Sequence, residues 1–300
     1  MLGLAAGDTA GGAWELGYSA ITEQATVIAY ELIVNRTVSK DGLVSALLEM
    51  DGVGEDEPVL RAESPEFRMW LDWAHAGQPV AGVEPSLDAA TRATVLGAAF
   101  RRESERLIAE TVGLGKMFHR DAGTVVSGVM AAAAVAASCF AQSGMDLVAG
   151  VAESTGDALG SVSDLDGAER LWRLPEKMRS LLSEVGVVAG EEALALVGGN
   201  RDDPVHLTLA GILLAAPVAH RHHIPIEQAA RLGGSRLGAV VGAIVGARVG
   251  IRAWPWAFAN DTWFAEIGRR LVRGPDEVRD LPIPYAVEQH LMSGGRPGYH

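Results

Sequence analysis

Apolar residues recur at helical spacing along most of this chain. Residues 21 to 38 place Ile21, Ala25, Ile28, Leu32 and Ile33 on one broad face, which predicts an amphipathic helix with Thr22 as its cap and Glu23 and Gln24 in its first turn. A shorter helix is expected from Lys40-Asp41-Gly42, carrying Leu43, Leu47 and Leu48 and broken by Asp51-Gly52. The acidic stretch Gly54-Glu55-Asp56-Glu57-Pro58 reads as a solvated loop. Phe67, Trp70, Leu71 and Trp73 mark another helix, bounded by Gly77-Gln78-Pro79. Beyond an extended loop at residues 81 to 86, helical character resumes from Leu87 through Ala109 with Arg92 inside it. A loop then leads through His119-Arg120-Asp121 into an alanine-rich helix, Val125 to Phe140.

In the second half, Trp172, Leu174, Met178, Leu181 and Leu182 have the spacing of a packed helical stripe interrupted at Pro175. Residues 198 to 204, Gly-Gly-Asn-Arg-Asp-Asp-Pro, carry a strong loop signal. Thr208 to His220 is expected to be an apolar helix, and Ile226 to Leu232 with Leu237 to Gly250 the final core pair. There is no repeat of solenoid length. The pattern predicts a single all-α domain over residues 1–300.

Composition sharpens that picture. Hydrophobic residues make up 48% of the chain and aromatic ones only 6%, whereas glycine occurs 36 times, so the core must be built from small side chains and close helix approaches. The net charge of -13 makes the whole molecule repel phosphate backbones, which argues against nucleic acid as a partner. The lone Cys139 cannot form an internal disulfide and reads as a buried thiol in a reducing compartment. Asp8 interrupts the opening apolar run, and the segments at 125–140 and 237–251 fall short of the roughly 20 residues that span a bilayer. A cytoplasmic protein without membrane spans is the expectation.

Several polar groups sit where chemistry is possible. Asp8 lies among residues with almost no bulk, which suits either ligand contact or helix packing. Glu15, one turn beyond Gly11, is a candidate general acid or base if burial lifts its pKa, or else a solvated helix-terminal acid. Asp121 suits the cap of the alanine-rich helix, and His119 is placed to project into a cleft and donate a hydrogen bond. Gly233-Gly234-Ser235-Arg236 offers backbone N–H groups and a guanidinium to an anion such as pyrophosphate, or forms a tight turn before a surface arginine. His220, His222, His223 and Glu227 include zinc-competent donors, but Pro225 breaks their continuity and a polar loop explains them more simply. Trp254, Pro255, Trp256 and Phe258 form either an apolar wall for a base or sugar, or ordinary packing.

Three ordered landmarks give the chain a resemblance to the ADP-ribosylglycohydrolase family: residues 3–11, Gly-Leu-Ala-Ala-Gly-Asp-Thr-Ala-Gly; Phe118-His119-Arg120-Asp121; and the glycine-alanine pattern from Gly238 to Ala247. Arg92 is similar to the arginine that precedes a proline-leucine-glycine segment in that family, with Thr94-Val95-Leu96-Gly97 here in place of the proline-containing form. The resemblance covers nearly the whole chain. It implies an orthogonal many-helix bundle around a cleft with two magnesium ions, acting on the glycosidic bond of ADP-ribosylated substrates.

The family's metal-binding segments are altered. Ser19-Ala20-Ile21-Thr22 stands where relatives carry Thr-Asp-Asp-Thr, and Gly233-Gly234-Ser235-Arg236 stands where they carry Gly-Gly-Asp-x-Asp-Thr. Magnesium needs mostly oxygen ligands in octahedral geometry, and the remaining donors are too few. Arg236 would bring positive charge to the former cation position, where two like charges at about 4 Å repel by roughly 4 kcal/mol at an effective dielectric near 20. No magnesium, metal or other cofactor is therefore expected, and Arg236 is expected to neutralise Asp8 or Asp121 or to receive a diphosphate. Two functions follow as expectations. One is a metal-independent hydrolase acting on a ribosyl or nucleotide-derived small molecule, with Glu15 catalytic, Asp8 and His119 orienting, and Ser19, Thr22, Arg92, Asp121, Gly233, Gly234, Ser235 and Arg236 holding the ligand. The other is an inactive module that binds ADP-ribose, a nucleotide or another protein.

Overall fold

A computed structural model describes residues 1–12, 18–51, 65–77, 85–185, 190–217, 221–250 and 261–273. Among the described residues the chain is a bundle of α-helices with no strand. In chain order these are α1 (Leu2–Gly11), α2 (Ala20–Asn35), α3 (Lys40–Asp51), α4 (Pro65–Ala76), α5 (Asp88–Ala99), α6 (Ser104–Phe118), α7 (Ala122–Ser138), α8 (Gly144–Ala158), α9 (Leu174–Ser180), α10 (Glu191–Val197), α11 (Pro204–Ala215), α12 (His223–Val249) and α13 (Asp261–Arg273).

Glycines four residues apart decide how α1 meets α12. A Cβ at Gly7 would lie 1.9 Å from the Gly238 carbonyl oxygen, and one at Gly3 would lie 2.1 Å from that of Gly242. The two helices therefore run antiparallel with their backbones in direct contact, and any larger side chain in this seam would push them apart. Such an approach brings Cα–H groups against facing carbonyls and removes two apolar helices from water together. α12 is long and apolar enough to cross a membrane by length and composition, and half of its most apolar window is buried inside the bundle.

Alanine-rich α7 forms the other axis of the core. It is buried along almost its whole length and packs on α5, α6, α8, α11 and α12. Asp121 is its N-cap and accepts from the Thr124 N–H at 2.7 Å, as the sequence predicts.

Five local readings change in the structure. The helical stretch expected from Leu87 to Ala109 divides between α5 and α6, because the chain turns at residues 100–103 so that both helices can lie on α7. Residue periodicity does not register such a reversal. Pro175 opens α9 instead of interrupting a helix, since a first-turn proline lacks an N–H that would have no partner there. Pro204 likewise starts α11 four residues before the expected Thr208. Ser19, not Thr22, caps α2, accepting from the Ile21 N–H at 3.2 Å. The Cys139 thiol is only partly buried.

α12 breaks where the final core pair is expected to divide. Gly233 and Gly234 leave the helical region, and Gly234 has φ +66° with ψ -162°, a conformation nearly closed to residues with a Cβ.

Candidate functional site

Asp8 projects from α1 and has no solvent exposure. Its carboxylate meets the start of α2. The Ser19 N–H donates to Oδ2 at 2.8 Å and the Thr22 hydroxyl donates to the same oxygen at 2.7 Å. The Ser19 hydroxyl lies 2.9 Å from each carboxylate oxygen, and the Thr22 N–H adds a longer bond of 3.3 Å. A negative charge here also complements the positive end of the α2 dipole. Burial pushes the Asp8 carboxyl above its ordinary value, and the hydrogen bonds from Ser19 and Thr22 pull against that rise without reversing it. Ser235 closes the group from the opposite side, donating its hydroxyl to the Asp8 backbone carbonyl at 3.1 Å. Residues 227 apart in sequence thus meet because the α1–α12 glycine seam brings the α12 break beside Asp8.

A second buried carboxylate lies close by. Asp88 begins α5 and is 3% exposed, and Arg92 follows one turn later on the same face at 1%. Arg236 reaches across from α12 and donates from Nε to Asp88 Oδ1 at 2.6 Å. Arg92 directs Nη2 to the His119 Nε2 at 2.6 Å, and its Nη1 lies 3.5 Å from the Gln24 amide oxygen. The Arg92 guanidinium also stands 4.6 Å from the Phe118 ring centroid and 5.3 Å from that of Trp70, so its face is covered by aromatic carbon.

The electrostatics of this second group follow from burial opposed by full charges. Desolvation pushes Asp88 up, yet the Arg92 and Arg236 charges and the Arg236 hydrogen bond outweigh it and hold the carboxyl below its ordinary value. Burial brings Arg92 down to about 10, with Asp88 opposing the fall. His119 is lowered to about 3, first by burial and then by the Arg92 charge, so it is a neutral imidazole at physiological pH. A guanidinium has no acceptor, so the Nε2 facing Arg92 must be the accepting nitrogen. The Nε2 of His119 is therefore an acceptor held inside the protein, and it is not presented to a cleft as a donor. His119 lies 4% exposed against the arginine.

Arg236 pairs with neither of the two carboxylates expected as its partners. It neutralises Asp88, a residue that the sequence reading passed over, and neither Asp8 nor Asp121. One signal could have found Asp88: an acid four residues before Arg92 at the start of an apolar helix. Gln24, by its sequence only a polar first-turn residue, contributes to the Arg92 environment.

Asp121 belongs to a different face. Besides capping α7, it lies 3.8 Å from an Arg170 guanidinium nitrogen and lines a polar cavity of about 340 Å³ with residues from α9 and the start of α11. Gly233 and Gly234 form the α12 break, with open space where a Gly234 side chain would stand. Glu15, His220, Trp254, Pro255, Trp256 and Phe258 lie outside the described residues. Glu227 approaches Arg231 at 3.8 Å.

The donor chemistry does not suit the two magnesium ions that the resemblance implies. Ser19 and Thr22 direct their hydroxyl groups to Asp8, Ala20 and Ile21 offer no side-chain donor, and Arg236 brings a cation into the second segment. Among the described residues, no group of three or more His, Cys, Asp or Glu side chains is placed to hold a metal ion. Comparison with known proteins adds no relative to this picture: no family model and no curated protein matches the chain.

Proposed function

We propose that this chain is an ADP-ribosylglycohydrolase-like orthogonal helical bundle that binds a ribosyl or nucleotide-derived small molecule without hydrolysing it. One observation carries the reading: among the described residues, Asp8, Asp88 and His119 around α1, α5 and α12 are each engaged internally. Asp8 accepts from Ser19 and Thr22, Asp88 is held by Arg236 and faces Arg92, and His119 accepts from Arg92. Their exposures of 0%, 3% and 4% leave little of them to touch a substrate. General acid–base work needs a group within hydrogen-bond reach of the reacting atoms, with a pKa near the working pH. A neutral, buried His119 satisfies neither condition. The three sequence landmarks of the resemblance also gather in space, since the glycine segments of α1 and α12 pack together and His119 lies against Arg92 in the same interior.

The test pairs calorimetric titration of ADP-ribose in EDTA with incubation of the protein on an ADP-ribosylated peptide, with and without magnesium. Saturable binding with no released ADP-ribose is the expected result. Release that persists in EDTA and is lost in Glu15→Gln would replace this reading with metal-independent hydrolysis.

A further inference from the structure

We infer that the cavity beside Asp121 is a binding site for a small phosphate ester, with Arg170 and Arg173 as its anion-contacting groups. This inference rests on the cavity and not on the ribosyl reading above. The cavity holds about 340 Å³, within the size range of small-ligand sites, and opens between the residue 170–177 segment and the starts of α7 and α11. Arg170, Arg173 and Lys177 supply positive charge to its lining, and Asp121, Asp202 and Asp203 supply negative charge. The two sets are unequally committed.

The Asp121 carboxylate accepts from the Thr124 N–H and hydroxyl at 2.7 and 2.9 Å, and Asp203 accepts from the Val205 N–H at 2.9 Å. Both acids are thereby tied to helix starts. Lys177 donates to the Val197 carbonyl and is also occupied. Arg170 has Asp121 as its nearest acid at 3.8 Å, beyond hydrogen-bond distance, and Arg173 makes no hydrogen bond or ion pair among the described residues. Two guanidiniums three residues apart therefore bring open donors to a cavity in which two of the three acids, Asp121 and Asp203, are already engaged. A guanidinium fork matches phosphate geometry in a way an ammonium does not. Asp202, also in the lining, offers a carboxylate acceptor suited to sugar hydroxyls, and Asn200, whose amide oxygen accepts from the Asp202 N–H at 3.0 Å, offers its amide NH2 as a donor, so the ligand class is a phosphorylated sugar or nucleoside. With -13 net charge on the whole chain, an anion that binds here must do so through local groups.

Equilibrium titration of the full chain with ribose 5-phosphate, with ribose as a control, tests the site. We expect saturation with a Kd below about 1 mM, and at least about tenfold weaker binding in Arg170→Ala/Arg173→Ala. Both side chains are exposed, so the double variant is expected to keep the wild-type circular dichroism and melting temperature. Ribose should bind at least about tenfold more weakly than its phosphate, because it lacks the group the arginines hold. No saturation by about 10 mM, or equal binding by wild type and double variant, would overturn the assignment. A response to ribose 5-phosphate that depends on these arginines, without any response to ADP-ribose, supports this site while removing the nucleotide-binding reading of the bundle.

Discussion

Asp8 and Asp88 are two carboxylates buried in one helical interior, and their acidities move in opposite directions. Asp8 is met by hydroxyl and backbone N–H donors from the start of α2. Asp88 is met by the charges of Arg236 and Arg92. Desolvation is the largest influence on both, and dipoles alone fail to reverse it at Asp8, whereas two full charges do so at Asp88. Hydrogen bonds satisfy the buried Asp8 without reversing its rise, whereas at Asp88 the guanidinium charges reverse it.

Asp88→Asn should cause the largest loss of stability, because it leaves the Arg92 charge in the interior without its counter-ion. Breaking a buried pair in this way costs about 3–5 kcal/mol, measurable by urea denaturation at pH 7. Arg236→Met should cost less, about 1–2 kcal/mol, since Arg92 remains beside Asp88 and the Arg236 side chain is 34% exposed and so partly screened by solvent. Asp8→Asn should cost the least, about 1 kcal/mol, because an amide can keep one acceptor for the α2 donors and no charge is stranded. A loss at Asp8 equal to that at Asp88 would dissolve the contrast between the two sites.

The pH dependence of the same variants separates the sites by sign. The Asp88 carboxyl ionises below its ordinary value of 3.8, so its contribution is complete above that pH and is lost as pH falls through the folded value. The stability gap between wild type and Asp88→Asn should therefore narrow on acidification below 3.8. The Asp8 carboxyl ionises above 3.8, so the native state retains a proton that the unfolded chain has released, and stability declines as pH rises from 3.8 through the folded value. Wild type should accordingly lose ground to Asp8→Asn over that rise. Stability curves from pH 2 to 7 should show these opposite slopes, and slopes of the same sign would mean that the two carboxylates share one environment.

Much of the fold was legible from the residues themselves. The apolar faces of α2 and α7, the Asp121 cap, the division of α12 at Gly233-Gly234 and the need for close glycine contacts all follow from periodicity or from local backbone chemistry. The candidate site was less legible. Asp8, Ser19, Thr22, Ser235, Arg92, His119 and Arg236 were all singled out from sequence, and the structure gathers them around α1, α5 and α12. Their pairings were not foreseen. By residue type Arg236 suits Asp8, Asp121 or a diphosphate, and in the fold it binds Asp88; His119 suits a donor in a cleft, and in the fold its Nε2 accepts in the interior.

The sequence by itself determined the apolar faces of the main helices, the Asp121 cap and the glycine spacing, because those depend on residues within a turn or two of one another. Only the tertiary structure decided which charge meets which, since Asp88 and Arg236 lie 148 positions apart and meet only because their helices pack together. Charge pairing depends on the facing of whole helices, and that is fixed by how α12 packs against α1 and α5 and not by the character of the charged residues themselves.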